Sequence, residues 1–182
     1  MTEYKIIFTG TMGAGKTTAI TAISEIPVAS TDVMNHARSE FDKNTTTAAM
    51  DYGEVTLAGN DRLRLYGTPG QERFRFMWEI LGKGALGVVI LVDGSRPDPR
   101  ADVLEYAKAF ESVIKTGSAV VGIGRVRTPD ITDECSMALA ERGMILPVFQ
   151  VDVREREDVL LLLDALLGQL EAAQAEESDE RV

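Results

Sequence analysis

Long hydrophobic runs are missing from this 182-residue sequence. No stretch approaches the roughly 18 unbroken apolar residues of a membrane span, so direct membrane insertion is not expected. Cysteine is nearly absent: Cys135 stands alone, which excludes an intramolecular disulfide and points to a reducing, cytoplasmic compartment. Histidine is equally scarce, and the single His36 has no second histidine with which to hold a metal. Positive charge is in deficit, with 19 Lys and Arg against 29 Asp and Glu and a net charge of −10. A surface of that sign repels a polyphosphate backbone, so nucleic acid is not an expected partner. The opening Met1-Thr2-Glu3-Tyr4-Lys5 lacks the basic stretch and apolar core of a leader, and Thr2 stands where myristoylation requires glycine. The last residues carry no prenylation cysteine either.

What is present is an ordinary globular composition, 45% hydrophobic and 26% charged, at a length that suits one domain. Apolar runs rich in β-formers alternate with helical patterns: Lys5–Thr9, a helix from Lys16, Val88–Val92, a helix over Ala101–Ile114, Ala119–Ile123, a helix over Asp133–Arg142, Val148–Val151 and a helix over Asp158–Leu170. Such alternation predicts βαβ units around a mostly parallel sheet. Gly53–Leu57 and Arg62–Tyr66 alternate polar and apolar residues across Ala58-Gly59-Asn60-Asp61, the pattern of a hairpin that places one antiparallel strand near an edge. Residues 171–182 hold five acids against Arg181 and read as a disordered acidic tail behind a domain of residues 1–170.

Directly after the first strand, Gly10-Thr11-Met12-Gly13-Ala14-Gly15-Lys16-Thr17 matches every position of G-x-x-x-x-G-K-[ST] in the strand–loop–helix context the motif needs. Glycines let backbone N–H groups converge on phosphate oxygens, and the helix that follows presents its positive end. Lys16 would neutralise the terminal phosphates and the Thr17 hydroxyl would enter a Mg²⁺ shell. The phosphate-contacting set is therefore Gly10, Gly13, Ala14, Gly15, Lys16, Thr17 and Thr18. The expected fold is α/β: a P-loop NTPase three-layer sandwich, with helices on both faces of the sheet.

A second motif, Gly67-Thr68-Pro69-Gly70-Gln71-Glu72-Arg73-Phe74-Arg75, follows the strand Arg62–Tyr66. With the phosphate loop it resembles the Ras superfamily of small GTPases, whose second switch reads D-x-x-G-Q and continues E-R-F-R in Rab-like members. The resemblance runs over residues 3 to 170 in element order and is greatest to bacterial Ras-like GTPases of the gliding-motility and cell-polarity type. It implies that the Gly70 N–H meets the γ-phosphate and that Gln71 orients the attacking water. It also implies a first switch around Asn44–Tyr52, in which Thr47, four residues before Asp51-Tyr52, joins Thr17 on Mg²⁺, with Thr46 as the alternative.

Three positions depart from the family pattern. Gly67 replaces the acid that opens the second switch, which removes a carboxylate from behind the metal. Gly124-Arg125-Val126-Arg127 stands in place of N-K-x-D, whose carboxylate reads guanine. Arg125, Arg127, Asp152 and Val153 become the base-binding candidates, with Asp130 as a further substitute. Met12 lies beside the space through which an arginine finger enters.

The function implied is a Mg²⁺-dependent GTPase switch cycling between GTP and GDP. Regulators and effectors would act at the switch loops, a roadblock-domain protein among them. The alternative is a nucleotide-binding scaffold with weak base discrimination and little hydrolysis.

Overall fold

The computed structural model describes residues 2–34, 47–70 and 74–179. Seven strands appear among them: β1 Glu3–Gly10, β2 Ala29–Met34, β3 Thr47–Thr56, β4 Arg62–Gly67, β5 Gly87–Asp93, β6 Ser118–Gly124 and β7 Val148–Gln150. Six helices accompany them: α1 Lys16–Ile23, α2 Arg75–Gly82, α3 Pro99–Ala109, α4 Glu111–Thr116, α5 Ile131–Ala140 and α6 Arg156–Asp179. The strands form one sheet in the order β2-β3-β4-β1-β5-β6-β7. Pairings from β4 through β7 are parallel, and β3 alone runs against its neighbours. The α/β P-loop NTPase fold read from the sequence is therefore the fold observed.

The central strands are buried on both sides, and their side chains alternate between two cores. Val88, Ile90 and Val92 of β5 face Trp78, Val103, Phe110 and Leu139, under α2 to α5. Val89 and Leu91 face Ile20, Leu162 and Leu166, under α1 and α6. Each fully buried aliphatic side chain of this kind is worth about 1.5–3 kcal/mol of transfer free energy. The two cores thus fix which face of the sheet each helix covers. The last helix is further tied to β6 by Ser118 Oγ, which donates to the Leu166 carbonyl at 2.9 Å, and by Gln169 Nε2, which donates to the Ala119 carbonyl at 3.1 Å.

Three local readings change. Ala29–Met34 is an edge strand that the sequence pattern did not mark, so the antiparallel strand β3 is second from the edge. The single helix expected over Ala101–Ile114 is two helices, broken where Phe110 takes φ −107° and ψ 19°. Its N-terminus is set by Asp98, whose carboxylate accepts from the Ala101 N–H at 3.1 Å, with Pro99 in the first turn. Finally, residues 171–179, read as a disordered tail, continue α6 as helix. The Ala172-Ala173-Gln174-Ala175 run and the glutamates around it favour helix intrinsically. No helix among the described residues is long and apolar enough to cross a membrane.

Candidate functional site

β1 and β4 are neighbours in the sheet, and the connections that leave them run to opposite sides, from β1 through α1 toward β2 and from β4 through α2 toward β5. Ligands of open α/β sheets bind in the crevice outside such a switch point, and the phosphate loop is the segment that leaves β1 there. Gly15 adopts φ +94°, and a Cβ on it would stand 2.6 Å from Val153 Cγ2. Glycine is required on both counts. Lys16 opens α1 with its side chain only 9% exposed, donating from Nζ to the Gly10 and Thr11 carbonyls at 2.8 Å each. Burial pushes its ammonium down to about 8, against the opposing pull of the Asp51 carboxylate.

Asp51 stands where a side chain at position 67 would. The two residues are register partners on β3 and β4, and a Cβ at Gly67 would lie 3.0 Å from Asp51 Cβ and 3.1 Å from its Oδ2. The Asp51 carboxylate thus occupies the room a side chain at position 67 would need. There it accepts a hydrogen bond from Thr17 Oγ1 at 2.5 Å. A carboxylate thus stands beside Thr17, carried by the neighbouring strand and not by position 67. Among the described residues no group of three or more His, Cys, Asp or Glu is placed to hold a metal. Mg²⁺, which prefers one or two protein oxygens completed by phosphates and water, fits the Thr17 and Asp51 pair better than it would fit a closed cage.

Thr47 is not brought to that pair. It begins β3 in register with Met34, four residues from Asp51, or about 13 Å along a strand. Thr46, like Asn44, Thr45 and His36, lies outside the described residues, as does Gln71. Gly70 is described and packs against the phosphate loop, where a Cβ on it would stand 2.8 Å from Lys16 Nζ and 2.8 Å from Met12 N. Met12 itself is 66% exposed.

Beside the phosphate loop lies a cavity of about 690 Å³, lined by Ala14, Gly15, Thr18, Asp93, Arg125, Asp152, Val153, Arg154 and Asp158 among others. Three of the four base-binding candidates are therefore brought together with the loop. Arg127 is exposed and does not line the cavity, and Asp130 stands at the start of α5, also outside the lining. Arg125 adopts φ +50°, a strained backbone for a side-chain-bearing residue. Its NH1 donates to the Gly13 carbonyl at 3.1 Å and to Asp93 Oδ2 at 2.6 Å. Burial would raise the Asp93 carboxyl, but hydrogen bonds from the Ser95 hydroxyl and N–H and from Arg125 outweigh it and hold the group low. Across the cavity Asp152 is clasped by the Arg154 guanidinium, a hydrogen-bonded pair that brings its carboxyl down to about 2. The Asp152 N–H donates to Asp158 Oδ2 at 2.7 Å, anchoring that loop to α6.

Sequence reasoning missed Asp93 and Asp158 as lining residues, and it used Asp51 only to count back to Thr47. The position of Asp93, last in an apolar strand of a parallel sheet, was a usable signal. Nothing local marks Asp51, because its role depends on which residue faces it across the sheet.

A family model described as conserved hypothetical ATP binding protein matches residues 27–123, a little over half of the chain. An uncharacterized protein of Methanocaldococcus jannaschii is 28% identical over 144 residues, which cover 78% of this chain and 85% of that protein. The Ras-related protein RabC of Dictyostelium discoideum is 25% identical over 178 residues, 93% of this chain and 84% of RabC. The phosphate loop at a sheet switch point and these two kinds of match describe a P-loop nucleotide-binding protein of GTPase-like kind. On the family match, the chain belongs to the conserved hypothetical ATP binding proteins.

Proposed function

We propose that the protein is a Mg²⁺-dependent small GTPase of the Ras-like kind, acting as a switch whose loops respond to the terminal phosphate. The observation that carries this reading is the Thr17–Asp51 pair, which keeps a hydroxyl and a carboxylate beside Lys16 although the family acid is gone from position 67. Thr17 would sit on the ion, with Asp51 behind it orienting bound water. Held at Thr17, Mg²⁺ would supply charge neutralisation to the phosphates, which Lys16 and the loop N–H groups would bind. Gln71 is the residue proposed to orient the attacking water. For Thr47 to join the ion, its end of β3 would have to come closer to Thr17. With no arginine finger assigned, unassisted hydrolysis should be slow. Regulators and effectors are proposed at the switch loops on the Ras-like resemblance of the motifs, with a roadblock-domain protein among them on the bacterial gliding-motility resemblance.

A second reading, a nucleotide-binding scaffold with weak base discrimination, is favoured by one observation. Arg125 is spent on Gly13 and Asp93, and Arg127 does not line the cavity, so no residue at the N-K-x-D positions offers the base a carboxylate. The ATP-binding description of the family agrees with that reading. A competition titration of nucleotide-free protein with GTP, ATP, UTP and CTP in Mg²⁺, followed by phosphate release, separates the two. A preference for GTP of about tenfold, or about 1.4 kcal/mol, with slow release of phosphate, supports the switch; equal affinities or an ATP preference removes the GTPase assignment.

A further inference from the structure

Pro69 and Gly70 touch two unlike surfaces. One is the phosphate loop, through the close approach of Gly70 to Lys16 Nζ and Met12 N. The other is a pair of aromatic donors carried by different helices. Trp78 Nε1 of α2 donates to the Pro69 carbonyl at 2.9 Å, and the Tyr106 hydroxyl of α3 donates to the Gly70 carbonyl at 3.3 Å. The two rings stand 4.8 Å apart between centroids, and both are buried in the core under α2 to α5. A buried indole N–H needs an acceptor, but the acceptor found here has a directional consequence. No peptide among the described residues is cis. In a planar trans peptide the carbonyl and the following N–H point in opposite directions, so tying the Pro69 oxygen to Trp78 aims the Gly70 N–H away from the indole.

Resting on the nucleotide reading above, we propose that Trp78 and Tyr106 are positioning residues for terminal-phosphate sensing: Trp78 sets the direction of the Gly70 N–H through the Pro69 carbonyl, Tyr106 holds the other side of the same residue through the Gly70 carbonyl, and together they couple α2 and α3 to the presence of a third phosphate. A diphosphate does not extend to Gly70, so its affinity is indifferent to the pair. A triphosphate gains the Gly70 N–H only while that peptide is held, so its affinity is not.

The test uses the full chain, GDP and ADP, and the non-hydrolysable βγ-imido analogues of GTP and ATP, all with Mg²⁺. Trp78→Phe and Tyr106→Phe each remove one donor and keep a ring. Each should weaken the analogue about three- to tenfold, the size of one net hydrogen bond, while leaving the diphosphate unchanged. Equal losses for both ligands would reduce the pair to a packing role and overturn the proposal. Trp78 is the only tryptophan in the sequence, so the wild-type protein supplies a readout that no misfolding variant can obscure. Its emission should shift on adding the analogue and not the diphosphate, and identical emission with both would overturn the proposal as well. If wild-type protein binds neither nucleotide, the nucleotide reading itself falls and this proposal with it. If wild-type protein favours the triphosphate and both variants keep its ratio, only this proposal falls.

Discussion

Asp51 and Gly67 face each other across β3 and β4, and the carboxylate of one fills the space denied to the other. The pair behaves as a single position occupied from the neighbouring strand. Asp51→Ala should therefore weaken Mg²⁺-dependent triphosphate binding by roughly ten- to a hundredfold, the usual cost of losing a group behind a metal ligand. Gly67→Asp alone should lower the melting temperature, since two carboxylates cannot share that space. Joining the two changes should recover part of the Mg²⁺ dependence, and a titration of affinity against Mg²⁺ checks each variant. Unaltered Mg²⁺ dependence in Asp51→Ala would take Asp51 out of the metal site.

Burial pushes the Lys16 ammonium down to about 8 from the ordinary lysine value of 10.5. Phosphates favour its charged form, so above pH 8 binding must take up a proton, and affinity should fall by up to about tenfold per pH unit. The stability of the protein without ligand moves the other way for this group. Between about 8 and 10.5 the unfolded chain holds a proton that folded Lys16 has lost, so rising pH favours the fold. Nucleotide titrations across this range, repeated on Lys16→Arg, check the assignment, because arginine stays charged throughout and should flatten the profile. Lys16→Ala should lose most of the triphosphate affinity at every pH.

Arg125 bridges Gly13 and Asp93 at the mouth of the cavity. Arg125→Ala should lower nucleotide affinity about tenfold without changing the ratio between purines, because its guanidinium braces the phosphate loop at Gly13 against Asp93 and is not engaged with a base edge. A changed GTP to ATP ratio in that variant would make Arg125 a reader of the base edge.

Gln71→Leu should abolish stimulated phosphate release and leave nucleotide affinity within about twofold, as expected for a group that acts only on the attacking water. Single-turnover hydrolysis measures this directly, and a turnover equal to that of the wild type would exclude Gln71 from the chemistry.

Much of this architecture is legible in the sequence because it rests on local pattern. Val88–Val92 and Ala119–Ile123 are apolar at every or nearly every position, as doubly covered strands must be. The phosphate loop is a contiguous motif whose fixed positions each have a task. The edge strand Ala29–Met34 escaped because Ser30, Thr31 and Asp32 carry no apolar alternation to mark it. The break at Phe110 escaped because a buried aromatic continues the helical spacing of its neighbours even where the backbone departs from it. Asp51 and Asp93 escaped for a different reason: each matters through a partner distant in the chain, Gly67 across two strands and Arg125 across a βαβ crossover. Register of that kind is a property of the assembled sheet and has no local signature.

The Val153 methyl resting on Gly15 joins the loop that borders the base cavity to the loop that holds the phosphates. Free energies of recognition at the two ends of a nucleotide are then not separable: exchanging the base perturbs the footing of the phosphate loop, and adding a phosphate perturbs the fit of the base. Measured in a thermodynamic box of two bases by two phosphate counts, the protein should show a cross-term that shrinks when Val153 is cut back to alanine.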